Sequence, residues 1–221
     1  MMISDDSRKS YITPSKYAIS EITEKKSVFH AWVAPVSSQE EAVAWITKAK
    51  SAYPDARHHV YAWILGGNTI QNKFSDDGEP AGTASLPILD VLRKNGIEDA
   101  IVIVIRYFGG TLLGTGGLVR AYTASASMAL AKSEPITMKL CTNYRCTTDY
   151  SDFEKIKRHL ADTDFEIEVK EYGEHIIFDV SCEDDKKDAL LAMVADISNG
   201  KASLSYNGSS YKKSQESNLN K

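Results

Sequence analysis

Between Ala100 and Tyr122 the chain passes from an unbroken apolar run into a segment with five glycines, and few folds accept that combination. The run Ala100–Ile105 reads Ala-Ile-Val-Ile-Val-Ile. Six consecutive apolar residues, mostly β-branched, predict a strand buried on both faces. Leu118 to Ala131 is rich in Ala and free of Gly and Pro, which predicts a helix. Gly109, Gly110, Gly114, Gly116 and Gly117 therefore fall between a central strand and a helix start. Glycine at that density allows positive φ and close approach of a ligand or another backbone. The free amides and positive dipole end of the helix suit an anion. A tight strand-to-helix turn is the alternative role for the same glycines.

Two familiar glycine loops are excluded. Gly109 and Gly114 have P-loop spacing, but Thr115 stands where the phosphate-binding Lys belongs. Gly114 and Gly116 begin a dinucleotide fingerprint whose third glycine position holds Val119.

The 221 residues are 43% hydrophobic and 25% charged, ordinary for a globular chain of one or two domains. No apolar stretch approaches the roughly 20 residues that span a bilayer, and Met1–Ser10 lacks a signal-peptide core. Cys141, Cys146 and Cys182 form no C-x-x-C pair and are odd in number. They predict free thiols in a reducing cytoplasm, with neither a disulfide frame nor a zinc site.

Charge divides the chain. Residues 1–136 hold 14 basic and 14 acidic side chains, while residues 137–206 hold 9 and 15. The second part is acidic, which suits a protein partner better than a phosphate backbone. Glu134-Pro135 marks the boundary. The expected organisation is a first domain over 1–136, a second over 137–206, and a disordered polar tail over 207–221.

Along the first domain, strands are expected at 17–22 and 27–34, joined by the turn Glu24-Lys25-Lys26. Ser38 and Glu41 form a capping box for a helix whose apolar face is Ala42, Trp45, Ile46 and Ala49. A hairpin follows, with strands 58–65 and 69–74 around Gly66-Gly67-Asn68. Pro87 belongs in the first turn of a helix that Asn95-Gly96 ends. In the second domain, Ser151 and Glu154 form another capping box, and Asp184 or Asp185 caps the last helix. The order β-α-β-β-α-β is that of a ferredoxin-like module ending at Tyr206.

Asp76-Asp-Gly-Glu-Pro-Ala-Gly-Thr-Ala84, Pro87-Ile-Leu89, Arg106-Tyr-Phe-Gly-Gly110 and Leu113-Gly-Thr-Gly-Gly-Leu-Val-Arg-Ala-Tyr122 together resemble the YigZ/Impact family. Lys26-Ser-Val-Phe29 and Ala56-Arg-His58 with Ala62 add to the likeness, which covers roughly Tyr17 to Lys132. Ser85 stands where the family usually has Gly, and Arg57-His58-His59 replaces a more usual Thr-His-Asn. The resemblance implies an α+β protein: a ribosomal protein S5 domain 2-like first domain and a ferredoxin-like second domain similar to the C-terminal domain of EF-G. It also implies a regulator of translation, the role of eukaryotic members, which carry an additional N-terminal protein-binding domain.

The candidate ligand-binding residues are His58, Asp76, Asp77, Glu79, Arg106, Tyr107, Gly109, Gly110, Gly114, Gly116, Gly117 and Arg120. Neighbouring carboxylates beside a His can place a base near neutrality or hold a hard cation. An Asp-Asp-Gly-Glu-Pro run is equally a turn held by side-chain-to-backbone bonds. The run matches no metal-ligand spacing, so no metal and no cofactor is expected. Thr83, Ser85 and Thr115 lie outside any nucleophile elbow. Arg106 and Arg120 suit phosphate contacts, with Tyr107, Phe108 and Tyr122 as stacking or core aromatics.

The resulting expectation is a cytoplasmic, non-enzymatic factor with no membrane role, contacting RNA, the ribosome or translation proteins through its first domain. The alternative is an enzyme acting on a small anionic or phosphorylated substrate at a cleft lined by Asp76, Asp77, Glu79, Arg106 and Arg120.

Overall fold

The structure, a computed structural model, describes residues 8–161, 163 and 165–214. It is α+β and forms two compact units. One is Tyr11–Thr137; the other joins the described residues up to Ser10 to those from Met138 onward. The N-terminal residues thus depart from the expected first domain. The Lys9 carbonyl accepts from the Leu140 amide at 2.9 Å, and the Arg8 carbonyl from the Tyr211 hydroxyl at 2.8 Å.

After β1 (Ser10–Thr13), the larger unit follows β2 (Ala18–Glu24), β3 (Ser27–Pro35), α1 (Gln39–Ala52), β4 (His58–Leu65), β5 (Gln71–Ser75), α2 (Ser85–Lys94), β6 (Ala100–Tyr107) and α3 (Thr115–Lys132). Its antiparallel sheet has the order β2-β3-β6-β4-β5. β6 lies at the centre, and all its residues from Ala100 to Arg106 are buried. One face of the sheet presents Phe29, Ala31, Val60, Ala62, Val102 and Val104 to Ile88, Leu92, Leu118, Tyr122 and Ala126 of α2 and α3. The other presents Trp32, Trp63, Ile101 and Ile103 to Ala42 and Ala49 of α1. A strand sandwiched in this way needs apolar residues at every position, which explains the unbroken run.

Ser38 caps α1 by accepting from the Glu41 amide at 3.2 Å. The returning Glu41 carboxylate takes the Ser37 amide at 2.8 Å, one residue before the cap. α3 begins at Thr115, earlier than the expected Leu118, because Gly114 at φ 74° turns the chain into the helix. Gly116 and Gly117 therefore lie inside its first turn.

The smaller unit contains β7 (Ile136–Thr148), α4 (Tyr150–Leu160), β8 (Glu166–Tyr172), β9 (Ile176–Glu183), a short 3-10 turn (Asp184–Lys186), α5 (Lys187–Ser198) and β10 (Ser203–Lys213). Its sheet has five strands, in the order β1-β7-β9-β8 with β10 also paired to β7, and the antiparallel set β10-β7-β9-β8 within it is ferredoxin-like. Tyr144, Cys146, Phe178 and Val180 pack against Phe153, Ile156, Leu190 and Val194.

Three local expectations differ here. Asp149, in place of Ser151, caps α4 by accepting from the Asp152 amide at 2.8 Å. No side chain caps α5, because the 3-10 turn precedes it and Asp184 accepts from Thr142. The last strand continues through Lys213, where pairing of Lys213 with Met138 extends the β7 ladder beyond the expected start of the tail. The tail's remaining positions, 215–221, lie outside the described residues.

Candidate functional site

Register across the sheet assembles the site. Arg106 on β6 pairs with Phe29 on β3 and with His58 on β4, so the three side chains stand in a row on one face. The row lies at the end of the core that α2 and α3 cover. Glu79, from the turn after β5, reaches the same place. Its Oε1 accepts from Arg106 Nη1 at 2.5 Å and from the Tyr122 hydroxyl at 2.8 Å. Arg106 and Glu79 are both buried. Arg106 Nη2 donates to Ser27 Oγ at 3.3 Å, and its guanidinium lies 5.5 Å from the Phe29 ring centre and 5.6 Å from that of Phe108. Burial, then the Glu79 charge, pushes the Tyr122 phenol far above its ordinary value. Tyr122 therefore remains a donor at any working pH.

His58 is oriented by the same turn. Its Nδ1 lies 2.8 Å from the Asp77 carbonyl, which can only accept, so Nδ1 carries the proton. Nε2 lies 4.0 Å from Glu79 Oε1.

These groups floor a cleft of about 500 Å³ lined by Pro80, Phe108, Leu112, Leu113 and Leu118 besides Arg57, His58, Glu79, Arg106 and the start of α3. Among the described residues no side chain caps α3, and its first turn has no acidic residue.

The neighbouring carboxylates have other partners. Asp76 Oδ1 accepts from the Ser85 amide at 2.8 Å and hydroxyl at 2.9 Å, and Oδ2 from the Gly82 amide at 2.9 Å. Burial works against its ionisation, but these bonds and the Ala84 amide more than offset that, and its carboxyl sits below the ordinary value. Asp77 Oδ2 accepts from the His59 amide at 2.6 Å. Among the described residues no group of three or more His, Cys, Asp and Glu side chains is arranged to hold a metal ion.

Sequence comparison bears on the same stretch. Residues 25–130 match the Impact N-terminal domain, and residues 146–201 match a domain of unknown function, DUF1949. The IMPACT family member YvyE of Bacillus subtilis is 35% identical over 195 residues, covering 88% of this chain and 90% of that one. The chain belongs to the IMPACT family. The IMPACT family member YigZ of Escherichia coli is 36% identical over 182 residues, covering 81% and 89%. A crystal structure of a hypothetical protein superposes with a TM-score of 0.59 at 34% identity, covering 89% of this chain and 97% of that one.

Within this IMPACT chain, the cleft brings together four of the candidates: His58, Glu79, Arg106 and Gly114. Asp76 and Asp77 brace the turn behind it. Tyr107, one residue past Arg106, faces the opposite side of the sheet against His30 and Tyr53. Gly109 packs on the β2–β3 turn, where its amide donates to Ser27 Oγ at 3.2 Å. Gly110 has φ 80° and does not line the cleft. Arg120, with Gly117, lines a separate depression beside Ile22, Glu24 and Lys25, and Gly116 lies next to the Arg120 side chain. Arg57, Pro80, Leu112 and Leu118 were not among the candidates. Leu112 carries a readable signal, an apolar residue amid glycines and 82% exposed in the fold.

Proposed function

We propose that this IMPACT-family chain is a cytoplasmic, non-enzymatic regulator of translation, acting through contact of its N-terminal unit with a protein of the translation machinery. The observation that carries this reading is the closed Glu79–Arg106–Tyr122 cluster. Among the described residues Glu79 is the only carboxylate lining the cleft, and Arg106 already neutralises it. That arrangement shapes a floor and holds no idle acid–base pair. Above it, Phe108 and Leu112 expose apolar surface at the rim. The charge balance over 1–136 favours a protein over RNA, since phosphate contacts need an excess of Lys and Arg.

The test is co-sedimentation of the full chain with ribosomes and capture of soluble translation factors, from about 50 to about 200 mM salt. Association that persists across this range and is lost in a Phe108→Ser, Leu112→Ser variant is expected. Association that collapses with salt would instead indicate RNA. No association at any salt would remove the reading.

A further inference from the structure

The cleft carries more than a contact surface. Four observations converge on its mouth and floor. First, α3 is an 18-residue helix that begins here at Gly114 and Thr115 with no capping side chain and no acidic residue in its first turn. Its amides and dipole therefore present a positive end that no acid of the helix's own first turn offsets. Second, Arg106 on the floor is only 5% exposed, and its Nε–H has no hydrogen-bond acceptor among the described residues. A buried donor without a partner is costly, and natural structures leave few of them. Third, Arg57 lines the same cleft and forms no ion pair among the described residues. Fourth, the wall between these groups is apolar: Phe108, Leu113 and Leu118.

Glu79 does not offset this positive character, because its charge is engaged by Arg106 and the Tyr122 hydroxyl. In its neutral form His58 adds an acceptor, Nε2, whose direction is set by the bond from Nδ1 to the Asp77 carbonyl. A ligand that satisfies this set has an oxyanion at one end, an apolar body, and an N–H or O–H group for His58. The volume of about 500 Å³ is that of a small-molecule site.

We propose that this cleft binds a small phosphate or carboxylate carried on an apolar body, with the first turn of α3 and Arg57 holding the charge and Phe108, Leu113 and Leu118 holding the body. The site is independent of the regulator reading, because its occupancy is measured without any translation component.

The test is isothermal calorimetry on the full chain with phenyl phosphate, N-acetyl-leucine, its uncharged analogue N-acetyl-leucinamide, and inorganic phosphate. Saturable one-to-one binding of phenyl phosphate or N-acetyl-leucine is expected, and whichever binds more tightly identifies the oxyanion. Inorganic phosphate, which lacks the body, should bind at least about tenfold more weakly, a difference of about 1.4 kcal/mol. Thr115→Glu places a carboxylate in the first turn of α3. It should weaken binding at least about tenfold while leaving the melting temperature unchanged or raised, because an acid is favourable at a helix N-terminus. Arg57→Ala, at an exposed position, should weaken binding without loss of fold. No saturable binding of either charged probe to the wild type would overturn the proposal. So would equal binding of N-acetyl-leucinamide, or undiminished binding in a folded Thr115→Glu variant.

Discussion

The carboxylate of Asp76 is tied to Ser85 by two hydrogen bonds, one from the backbone amide at 2.8 Å and one from the hydroxyl at 2.9 Å. Ser85 opens α2, so an acid nine residues upstream serves that helix as its N-terminal partner. Ala84 occupies the cap position and has no side chain able to do so. Asp76→Ala should therefore destabilise the chain by about 0.5–2 kcal/mol, the range for loss of a helix cap. The folded-state pKa of Asp76 is depressed, so its contribution is present above the unfolded carboxylate value of about 3.9. It is lost as pH falls through the lower folded value. Denaturant melts of wild type and variant should differ by a constant amount above about pH 5 and converge in acid. A gap that widens in acid would contradict the assignment.

Glu79 and Arg106 form a buried pair in which Glu79 Oε1 also accepts from the Tyr122 hydroxyl and Arg106 Nη2 donates to Ser27 Oγ. Removing one charge leaves the other desolvated. Glu79→Gln should cost about 3–5 kcal/mol. Tyr122→Phe removes one bond to a charged acceptor and should cost about 1.5–3 kcal/mol. Replacing the pair together, Glu79→Leu with Arg106→Met, should cost less than the sum of the single changes. A double-mutant cycle in urea measures this, and strict additivity would mean that the two side chains are not coupled.

The parts of this arrangement that follow from local rules are legible in the residues, and the rest depends on contacts far apart in the chain. Alternation along a strand separates Arg106 from Tyr107, and the apolar run Ala100–Ile105 announces a two-sided strand. Nothing local joins Glu79 to Arg106, 27 positions later, or aims the Asp77 carbonyl at His58. The start of α3 is hidden for a different reason. Glycine has low helix propensity, so Gly116 and Gly117 read as loop, whereas packing of Leu118, Ala121 and Tyr122 on the sheet draws them into the first turn. At α4 both Asp149 and Ser151 satisfy a capping pattern, and the helix begins early enough for the first to be used. β10 outruns the expected end because Gly208, at φ 86°, lies within the bulge between Tyr206 and Ser209 that lets pairing resume.

The three cysteines should be nearly inert in the folded chain. All are buried; burial pushes the Cys146 thiol up to about 12 and, with Cys141 and nearby acids, the Cys182 thiol up to about 11. Burial followed by Glu183 and Glu166 also raises Cys141. Thiolate is the reacting species, so native protein at about pH 8 should react with a chromogenic disulfide at least about a hundredfold more slowly than unfolded protein. Denatured chain should release three equivalents, matching the three cysteines. One fast equivalent from native protein would show that a thiol is exposed.

Gly109 and Gly116 belong to the same glycine-rich stretch but should respond oppositely to alanine. A Cβ on Gly109 would lie 2.0 Å from the Lys26 carbonyl carbon and 2.3 Å from the Ser27 nitrogen, and both are backbone atoms. Relief requires the β2–β3 turn and the loop to separate. That would break the bond from the Gly109 amide to Ser27 Oγ and disturb the one from Arg106. Gly109→Ala should cost more than about 3 kcal/mol, the scale of severe overpacking. Gly116 lies inside the first turn of α3, where a Cβ would meet only Arg120 Nη1 at 3.6 Å, an ordinary contact. Gly116→Ala should leave stability unchanged or raise it by up to about 1 kcal/mol through helix propensity. Thermal melts of the two variants decide between roles for the segment. If the whole stretch were a packed turn, both would lose stability alike. A tolerant Gly116 beside an intolerant Gly109 divides it into a structural contact at one end and an open helix start at the other.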